Sequence, residues 1–341
     1  MRHPRALALT LILIAMQTPS PIVTSEFIYE TAPFPSAHAS TIAETKDGLV
    51  AAWFGGTRER APDVGIWVSR KIGGAWSAPV EVATGLQPDG TRLPLWNPVL
   101  FDTGDGALTL FYKEGPSPSE WWGMALSSRD EGRTWGGRRR LPDGVLGPIK
   151  NKPVRLADGT IVSGSSTEST KNPSVWRVHF ERSDDRGRTW TIVRPAPAPD
   201  GGEPDAIQPA ILVHADGRLQ AIGRTRVQRV FETWSRDGGR TWTPLALTAL
   251  PNPNAGIDAV TLRDGRHLVV YNHTTQGRSP LDIAMSRDGQ TWDAPIALET
   301  EPGEYSYPAV IQTSDGLVHV TYTWKRQRIK HVVVDPARIA R

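Results

Sequence analysis

Short apolar runs alternate with turn residues along nearly the whole chain. Segments such as PAILVHADGRLQAIGRT and AVTLRDGRHLVVYNH place an Asp-Gly pair between two β-rich runs, which is the pattern of a β-hairpin. The pair recurs six times, with its aspartate at Asp47, Asp105, Asp158, Asp216, Asp264 and Asp315. The chain is therefore predicted to contain six hairpins.

A second repeat alternates with the hairpins. The string Ser-x-Asp-x-Gly-x-Thr-Trp begins at Ser128, Ser183 and Ser235, and degenerate copies begin at Ser69 and Ser286. The starting serines are 59, 55, 52 and 51 residues apart. In the first copy Lys71 stands where the aspartate is expected. The Asp and Ser of such a string can bind backbone N–H groups of a turn, so we interpret it as scaffold and not as a catalytic motif.

Units of about 50 residues with four strands each are typical of propeller blades. The prediction is one all-β domain over residues 26–341, a six-bladed β-propeller with these Asp-box turns. The sixth blade supplies only three strands after Tyr305. Its fourth is expected from the N-terminus, around residues 27–30, which would leave no free sheet edge.

The first residues have a different composition. Arg2 and Arg5 precede the apolar run ALALTLILIAM, which suits a signal peptide but is too short to span a bilayer. We predict a signal peptide over residues 1–25, a secreted or periplasmic location and no membrane span after its removal. The remaining chain has 37 basic and 36 acidic side chains, because only Arg2 and Arg5 are removed from 39 and 36. This balance argues against a nucleic-acid partner.

Box repeats on a six-bladed ring resemble the sialidase (neuraminidase) superfamily, over the whole predicted domain. The resemblance implies a glycoside hydrolase like exo-α-sialidases, whose substrate is a glycan with a terminal acidic sugar. It also implies three arginines that hold the sugar carboxylate, a tyrosine nucleophile activated by a glutamate, and an aspartate as acid/base. The tyrosine makes the family an exception to the usual pair of carboxylates.

Several residues match this pattern. Arg224 follows the fourth Asp-Gly turn, and Arg278 lies between a strand and the next box, as the second and third arginines of the family do. Guanidinium groups suit a sugar carboxylate. Tyr305 matches the nucleophile. Tyr307 is expected to point to the same face if the segment is extended, so either tyrosine could serve.

Two positions depart from the pattern. His38 stands where the first arginine would fall, and we predict that it joins the two arginines in binding the acidic sugar. Gln208 stands where the activating glutamate would fall, and glutamine cannot act as a general base. Gln208 is kept as a substrate-binding candidate.

Further polar residues occur once each at the predicted mouth. In WFGGTRERAPDVG, Asp63 is the first candidate for general acid and Glu59 the second, with a pKa raised by partial burial, and Arg58 is a binding candidate. Lys152 and Asp258, before the third and fifth hairpins, are also expected to contact substrate. Trp96 is a possible aromatic platform for a sugar ring.

No metal site and no cofactor are predicted, because the histidines and acidic residues lack ligand spacing. The oligomeric state is not indicated. Two alternatives stay open beside the hydrolase: a hydrolase or lyase acting on uronic-acid-containing polysaccharide, and a non-catalytic glycan-binding propeller. The fold alone does not distinguish them.

Overall fold

The computed structural model describes residues 19–199, 201–293 and 295–339, which form six antiparallel sheets around a common axis. The prediction of an all-β, six-bladed propeller is confirmed. The first strand, β1 (Ile22–Phe27), belongs to the last blade. Blade one comprises β2 (Ser36–Thr45), β3 (Gly48–Gly56), β4 (Gly65–Ile72), β5 (Ala75–Trp76) and β6 (Val80–Ala83). Blade two comprises β7 (Leu95–Asp102), β8 (Leu108–Glu114), β9 (Trp122–Ser128) and β10 (Gly136–Arg140).

The remaining blades follow in sequence order. Blade three comprises β11 (Val154–Arg155), β12 (Ile161–Glu168), β13 (Trp176–Ser183) and β14 (Thr191–Val193). Blade four comprises β15 (Ala206–Val213), β16 (Leu219–Thr225), β17 (Arg229–Ser235) and β18 (Ala246–Pro251). Blade five comprises β19 (Asp258–Thr261), β20 (His267–Tyr271), β21 (Leu281–Ser286) and β22 (Ile296–Glu299). Blade six comprises β23 (Tyr305–Gln312), β24 (Val318–Trp324), β25 (Arg328–Val334) and β1, and a short 3₁₀ helix (Pro336–Arg338) follows it.

The hydrophobic core lies between neighbouring blades. Val50 and Ile66 of blade one pack in one buried cluster with Leu110 of blade two. Val270 of blade five packs in another with Val320 of blade six. Because each sheet buries both faces against its neighbours, most strand positions in the three inner strands are apolar.

The box turns are hydrogen-bonded as expected for scaffold. In the first complete copy, the Asp130 carboxylate accepts the backbone N–H of Thr134 at 2.9 Å and its hydroxyl at 2.6 Å, while Ser128 Oγ accepts Gly132 N–H at 2.8 Å. Asp185 and Asp237 make the same contacts with Thr189 and Thr241. The boxes therefore hold turns at the end of the ring opposite to the strand ends that carry Arg224.

The degenerate first box makes different contacts from the complete copies. Lys71, which replaces its aspartate, forms an ion pair with Glu26 of β1, and the Trp76 indole N–H donates to the same carboxylate at 3.2 Å. His331 of β25 also contacts Glu26, with Nδ1 2.9 Å from Oε1. The substitution thus ties blade one to the strand that completes blade six.

The N-terminal strand closes the ring, but at a different place from the one expected. It comprises Ile22–Phe27 and pairs with β25, whereas the sequence pattern predicted residues 27–30. The extended stretch begins earlier because Thr24 and Ser25 pair with Val333 and Val332. Residues 1–18 of the predicted signal peptide lie outside the described residues, and cleavage after residue 25 would remove most of β1. In the described part of the chain no helix is long and apolar enough to cross a membrane.

The ring closure predicts acid sensitivity. Burial lowers the pKa of His331 from 6.5 to about 4, and Glu26, His319 and Lys71 face its imidazole. Burial also lowers the pKa of His319. The unfolded chain takes up the His331 proton near pH 6.5 and the folded chain only near pH 4, so this contribution to stability is lost as the pH falls between those values.

We therefore expect the free energy of unfolding of the wild type to decrease as the pH falls from 6.5 to 4. In His331→Gln the decrease should be less steep, and the two slopes should differ by up to about 1.4 kcal/mol per pH unit. Urea unfolding at several pH values measures this slope. His273→Gln, at an exposed histidine, is the control and should keep the wild-type slope. An unchanged slope in His331→Gln would contradict the prediction.

Candidate active site

Four β-bulges at one mouth of the ring build the site. The pairing register of the innermost strands shifts between His38 and Thr41, Trp96 and Val99, Ile207 and Ala210, and Ser306 and Ala309. At each bulge one residue adopts positive φ: 56° at Ala39, 41° at Asn97, 60° at Gln208 and 53° at Tyr307. A bulge interrupts the alternation of side chains along a strand. In a regular strand these side chains would pack between neighbouring blades. At the bulges they point toward the propeller axis and lie close to one another.

Arg224 and Arg278 meet at this mouth. Arg224 lies at the end of β16 and is 8% exposed. Arg278 lies in the loop between β20 and β21, where its carbonyl oxygen accepts Asn272 Nδ2 at 3.0 Å and Tyr305 N–H at 3.1 Å. Arg224 Nη1 and Arg278 Nη2 donate to the same acceptor, the Asn254 carbonyl oxygen, at 3.2 and 3.1 Å. The two guanidinium groups are therefore close neighbours.

Their positive charges are not neutralised by an ion pair. Within the described ranges, neither Arg224 nor Arg278 has a carboxylate within salt-bridge distance, and buried Arg224 Nε and Arg278 Nη1 have no hydrogen-bond partner. Burial lowers the pKa of Arg278, Tyr307 opposes this shift, and the like charge of Arg224 adds to it. Arg224 is buried and Arg278 is partly buried, and two neighbouring cations with free N–H donors are a site for a planar anion such as a carboxylate.

Tyr307 lies against this pair. Its hydroxyl accepts Arg224 Nη2 at 3.2 Å and is 3.5 Å from Gln208 Nε2. Its ring centroid is 4.2 Å from that of His38 and 5.8 Å from Lys150 Nζ. Of the two tyrosines, the geometry brings this one to the arginines.

Tyr305 lies elsewhere. It is 1% exposed and packs in the hydrophobic cluster of blades five and six, with its ring centroid 6.4 Å from that of Trp324. The expectation that Tyr305 and Tyr307 share a face was wrong, because the bulge between Ser306 and Ala309 breaks the two-residue alternation.

His38 reaches the site as a neutral group. Burial lowers its pKa well below the ordinary value, and the charges of Arg326, Arg278, Arg224 and Lys150 lower it further. Its Nδ1 is 2.9 Å from Thr323 Oγ1, and its buried Nε2 has no partner. His38 therefore lies beside Tyr307, where it offers hydrogen bonding and not a third positive charge. Gln208 Oε1 is buried without a partner in the same place.

The third cation comes from a turn that the sequence did not single out. Arg326, between β24 and β25, has positive φ, and its Nη1 is 2.5 Å from Glu59 Oε2 while its Nε is 2.7 Å from Glu304 Oε1. It exerts the largest charge effect on His38. Because the run KRQR resembles any solvated turn, nothing in the sequence marked Arg326 or Glu304.

The carboxyl groups at the mouth differ in their surroundings. Asp63 is exposed and accepts the Thr57 N–H at 2.9 Å and its hydroxyl at 2.6 Å. Slight desolvation raises its pKa, but these hydrogen bonds outweigh it and lower the pKa below the ordinary value. The raised pKa expected for Asp63 was wrong. Glu59 is paired with Arg326, and Arg58 is exposed beside it.

Glu168, at the end of β12, has the property that was expected of Asp63. Desolvation raises the pKa of Glu168, and the attraction of Arg224, Arg226 and Arg60 opposes the shift only in part. Its register partner is Trp176, whose ring centroid is 5.3 Å from Arg224 Cζ. The sequence STEST around it carries no motif, so only the fold reveals this carboxyl.

Lys152 and Asp258 are paired with each other. Lys152 Nζ is 3.1 and 3.0 Å from the two Asp258 oxygens, and Asp258 Oδ2 also accepts Val310 N–H at 2.8 Å. Lys152 lines a cavity with Arg155 and Gln312, toward the Asp-Gly turns and away from the arginines. Their geometry corrects the expectation of direct substrate contacts, because the pair braces blades three, five and six.

Lys150 lies below the Tyr307 ring and holds the backbone of the neighbouring strands. Its fully buried ammonium group donates to Asn151 Oδ1 at 2.8 Å, to the Ile257 carbonyl at 2.9 Å and to the Pro308 carbonyl at 2.5 Å. Burial lowers its pKa to about 7.

No cluster of three metal-ligating side chains occurs in residues 19–199, 201–293 and 295–339.

The family model of the BNR repeat-like domain matches residues 47–320, so the chain belongs to that family. No curated protein matches. Among solved structures, a protein of unknown function from Dyadobacter fermentans has a TM-score of 0.76 at 19% identity, covering 92% of this chain and 98% of that one.

Two named enzymes share the fold. The Hadza microbial sialidase Hz136 has a TM-score of 0.74 at 18% identity, covering 89% of this chain and 66% of that one. The intramolecular trans-sialidase from Ruminococcus gnavus has a TM-score of 0.73 at 14% identity, covering 95% and 99%. The chain is thus a sialidase-like BNR propeller. At these identities the likeness shows the fold alone.

The unpaired arginines predict an effect on stability. Arg278→Gln removes the partly buried one of two neighbouring cations, so we expect it to raise the free energy of unfolding at low ionic strength by about 1 kcal/mol. The gain should shrink at high salt, where repulsion is screened. Chemical denaturation at both ionic strengths measures it.

Arg226→Gln is the matched control. Arg226 lies two residues from Arg224, but its guanidinium pairs with Asp205 at 3.1 Å. Its replacement should not stabilise the protein. If Arg278→Gln destabilises as much as Arg226→Gln at low salt, the charge of Arg278 is compensated and the description of the site is wrong.

Proposed function

We propose that this protein is a glycoside hydrolase that removes a terminal carboxylate-bearing sugar from a glycan. The observation that carries the proposal is the pair Arg224 and Arg278 beside Tyr307, in which neither guanidinium has a salt-bridge partner among the described residues and each has an N–H group without a partner. The fold supports it, because two proteins of similar structure are named a sialidase and an intramolecular trans-sialidase. We retain the proposal that the protein is secreted or periplasmic.

The arginine pair would bind the sugar carboxylate through its free N–H groups. The Tyr307 hydroxyl would then lie at the anomeric carbon. Arg224 already donates a hydrogen bond to this oxygen, which favours negative charge on it as it attacks. As the tyrosyl bond forms, the Tyr307 hydroxyl gives its proton to neutral His38, whose Nε2 has no partner. The glycosidic C–O bond breaks in the same step, and water later hydrolyses the tyrosyl intermediate with retention of configuration. Gln208 leaves this tyrosine without an adjacent carboxylate base.

The leaving oxygen needs a proton donor. Asp63 and Glu59 were the candidates from sequence, but the lowered pKa of Asp63 keeps it ionised near neutral pH. The raised pKa of Glu168 and its place beside Arg224 and Trp176 make it the better acid. We therefore assign proton donation to Glu168 within this proposal.

The first experiment measures release of the free sugar from a fluorogenic α-sialoside and from a mixed glycoprotein. We expect Arg278→Ala to raise KM and lower kcat/KM by about 30-fold or more, because a partly buried charge partner of the sugar carboxylate is removed. Release at the wild-type rate by this variant would contradict the carboxylate-binding role. No release by the wild type from either substrate would exclude sialosides as substrates.

The acid assignment is tested by pH profiles. In the wild type, activity should decline as the pH rises above the pKa of protonated Glu168, and Glu168→Gln should lose about 10²- to 10⁴-fold in kcat together with this alkaline decline. Asp63→Asn is the comparison and should keep the profile. The reverse pattern would return the role to Asp63.

A uronic-acid lyase is the second candidate. It is favoured by neutral His38, whose Nε2 is unpartnered next to Tyr307, and by Gln208 in place of a carboxylate. His38 or Tyr307 would take the proton α to the carboxylate, the arginines would stabilise the enolate, and the leaving sugar would depart as a double bond forms. Ultraviolet absorbance of unsaturated products from uronic-acid polysaccharide separates this from hydrolysis. Glycan binding without turnover of either substrate class would indicate the non-catalytic alternative.

A further inference from the structure

The bulges at the mouth are held by different contacts. At the second bulge, Trp96 is 1% exposed and its indole N–H donates to the Gly115 carbonyl at 2.8 Å. Trp96 therefore supports the wall of the mouth and is not the sugar platform predicted from sequence. The bulges at Gln208 and Tyr307 are instead both held by the segment that precedes β11.

The backbone of these two bulges needs support from its surroundings. Tyr307 has a φ of 53° and Gln208 a φ of 60°, in the left-handed region that residues other than glycine rarely adopt. Such conformations persist only where neighbouring contacts determine them. Pro308 follows Tyr307 and has no N–H group, so its carbonyl oxygen is the group through which the backbone can be anchored there.

Lys150 supplies this anchor. Its ammonium group has three N–H donors and meets three acceptors: the Pro308 carbonyl at 2.5 Å, the Asn151 Oδ1 at 2.8 Å and the Ile257 carbonyl at 2.9 Å. Lys150 is 3% exposed. Because its three donors are used and the group is buried, Lys150 acts on the site through the residues that it holds and not by contact with substrate.

Asn151 extends the connection to the second bulge. Its Nδ2 donates to the Gln208 carbonyl at 2.9 Å, while its Oδ1 accepts from Lys150. The side chain of Gln208 returns to the tyrosine, with Nε2 3.5 Å from the Tyr307 hydroxyl. A closed set of contacts thus links the backbone after Tyr307, Lys150, Asn151, Gln208 and the Tyr307 hydroxyl.

The space for the lysine depends on a glycine. A Cβ added to Gly256 would lie 3.0 Å from Lys150 Cε and 3.4 Å from Gln208 Oε1. Gly256 is buried and does not have a positive φ, so alanine can adopt its backbone conformation. Gly256→Ala therefore pushes on the lysine stem without changing any charge.

The arginine pair is held by contacts of its own. Its shared acceptor, the Asn254 carbonyl, lies in a loop that Asn252 closes by donating to the Ala255 carbonyl at 3.0 Å and accepting the Ala255 N–H at 2.9 Å. Lys150 hydrogen-bonds to this segment only beyond the loop. Loss of the lysine contacts should therefore move Tyr307 relative to the arginines and leave the arginines in place.

We propose that Lys150 and Asn151 are positioning residues, which hold the Tyr307 hydroxyl at the reacting carbon while the arginine pair binds the carboxylate. The inference rests on the proposed function, because Tyr307 is the nucleophile only in that reaction. The position of the tyrosine, however, can be measured without any substrate.

The first experiment observes Tyr307 in the free protein. Labelling with 3-fluorotyrosine gives one ¹⁹F signal for each of the six tyrosines, and the signal missing in Tyr307→Phe belongs to Tyr307. We expect this signal to shift or broaden in Lys150→Met and in Gly256→Ala. Lys113→Met is the matched control and should leave it unchanged, because Lys113 is also buried and donates to a carbonyl, that of Pro148 at 2.7 Å, but contacts neither bulge.

The second experiment measures turnover of the fluorogenic α-sialoside. We expect Lys150→Met and Asn151→Leu to lower kcat by roughly 10²-fold, the loss that a displacement of about 1 Å can cause. KM should stay close to the wild-type value, because the arginines keep their places. Lys113→Met should keep the wild-type kcat.

An unmoved Tyr307 signal in both Lys150→Met and Gly256→Ala would overturn the positioning role. Equal losses of kcat in Lys150→Met and Lys113→Met, or a rise in KM as large as the fall in kcat, would also overturn it, since either indicates general loosening of the fold. If the signal moves as expected but the wild type turns over neither the sialoside nor uronic-acid polysaccharide, the proposed function fails while the structural link to Tyr307 is supported.

Discussion

The structure depends on closure of the ring by its own N-terminal strand. Without β1, the outer strand β25 would expose a row of unpaired backbone groups at the last blade. Glu26 on β1 secures the closure, since Lys71 of blade one and His331 of blade six both contact it. A closed ring fixes the inner strands relative to one another, and the bulges at their ends can then bring side chains from different blades together.

This rigidity lets the protein keep like charges together. Arg224 and Arg278 share one carbonyl acceptor while several buried polar atoms around them have no partner. Such an arrangement costs stability, because buried charges and donors lose their hydration. Arg326 differs from these two arginines, because it forms ion pairs with Glu59 and Glu304. The difference marks Arg224 and Arg278, which lack ion-pair contacts among the described residues, as the part of the mouth that suits an anion.

Sequence reasoning predicted the scaffold because its signals are local and repeated. Each Asp-Gly turn and box specifies its own hairpin, so six blades follow from counting. The site was only partly predictable. Arg224, Arg278, Tyr307, His38 and Gln208 do converge, but the bulge at Tyr307 separates it from Tyr305, and no sequence period reports a bulge. Arg326 and Glu168 reach the mouth through the ring geometry alone, and Lys152 is directed away from it by its pair with Asp258.

The most direct test of the account is whether the arginine pair recognises a carboxylate. Calorimetric titration of the unmodified protein with N-acetylneuraminic acid and galacturonic acid, each compared with its methyl ester, isolates that group. The account predicts that at least one free acid binds and that its ester binds about 30-fold more weakly or worse, since the ester leaves buried guanidinium charges unpaired. Equal binding of an acid and its ester, or no binding of either acid, would contradict it.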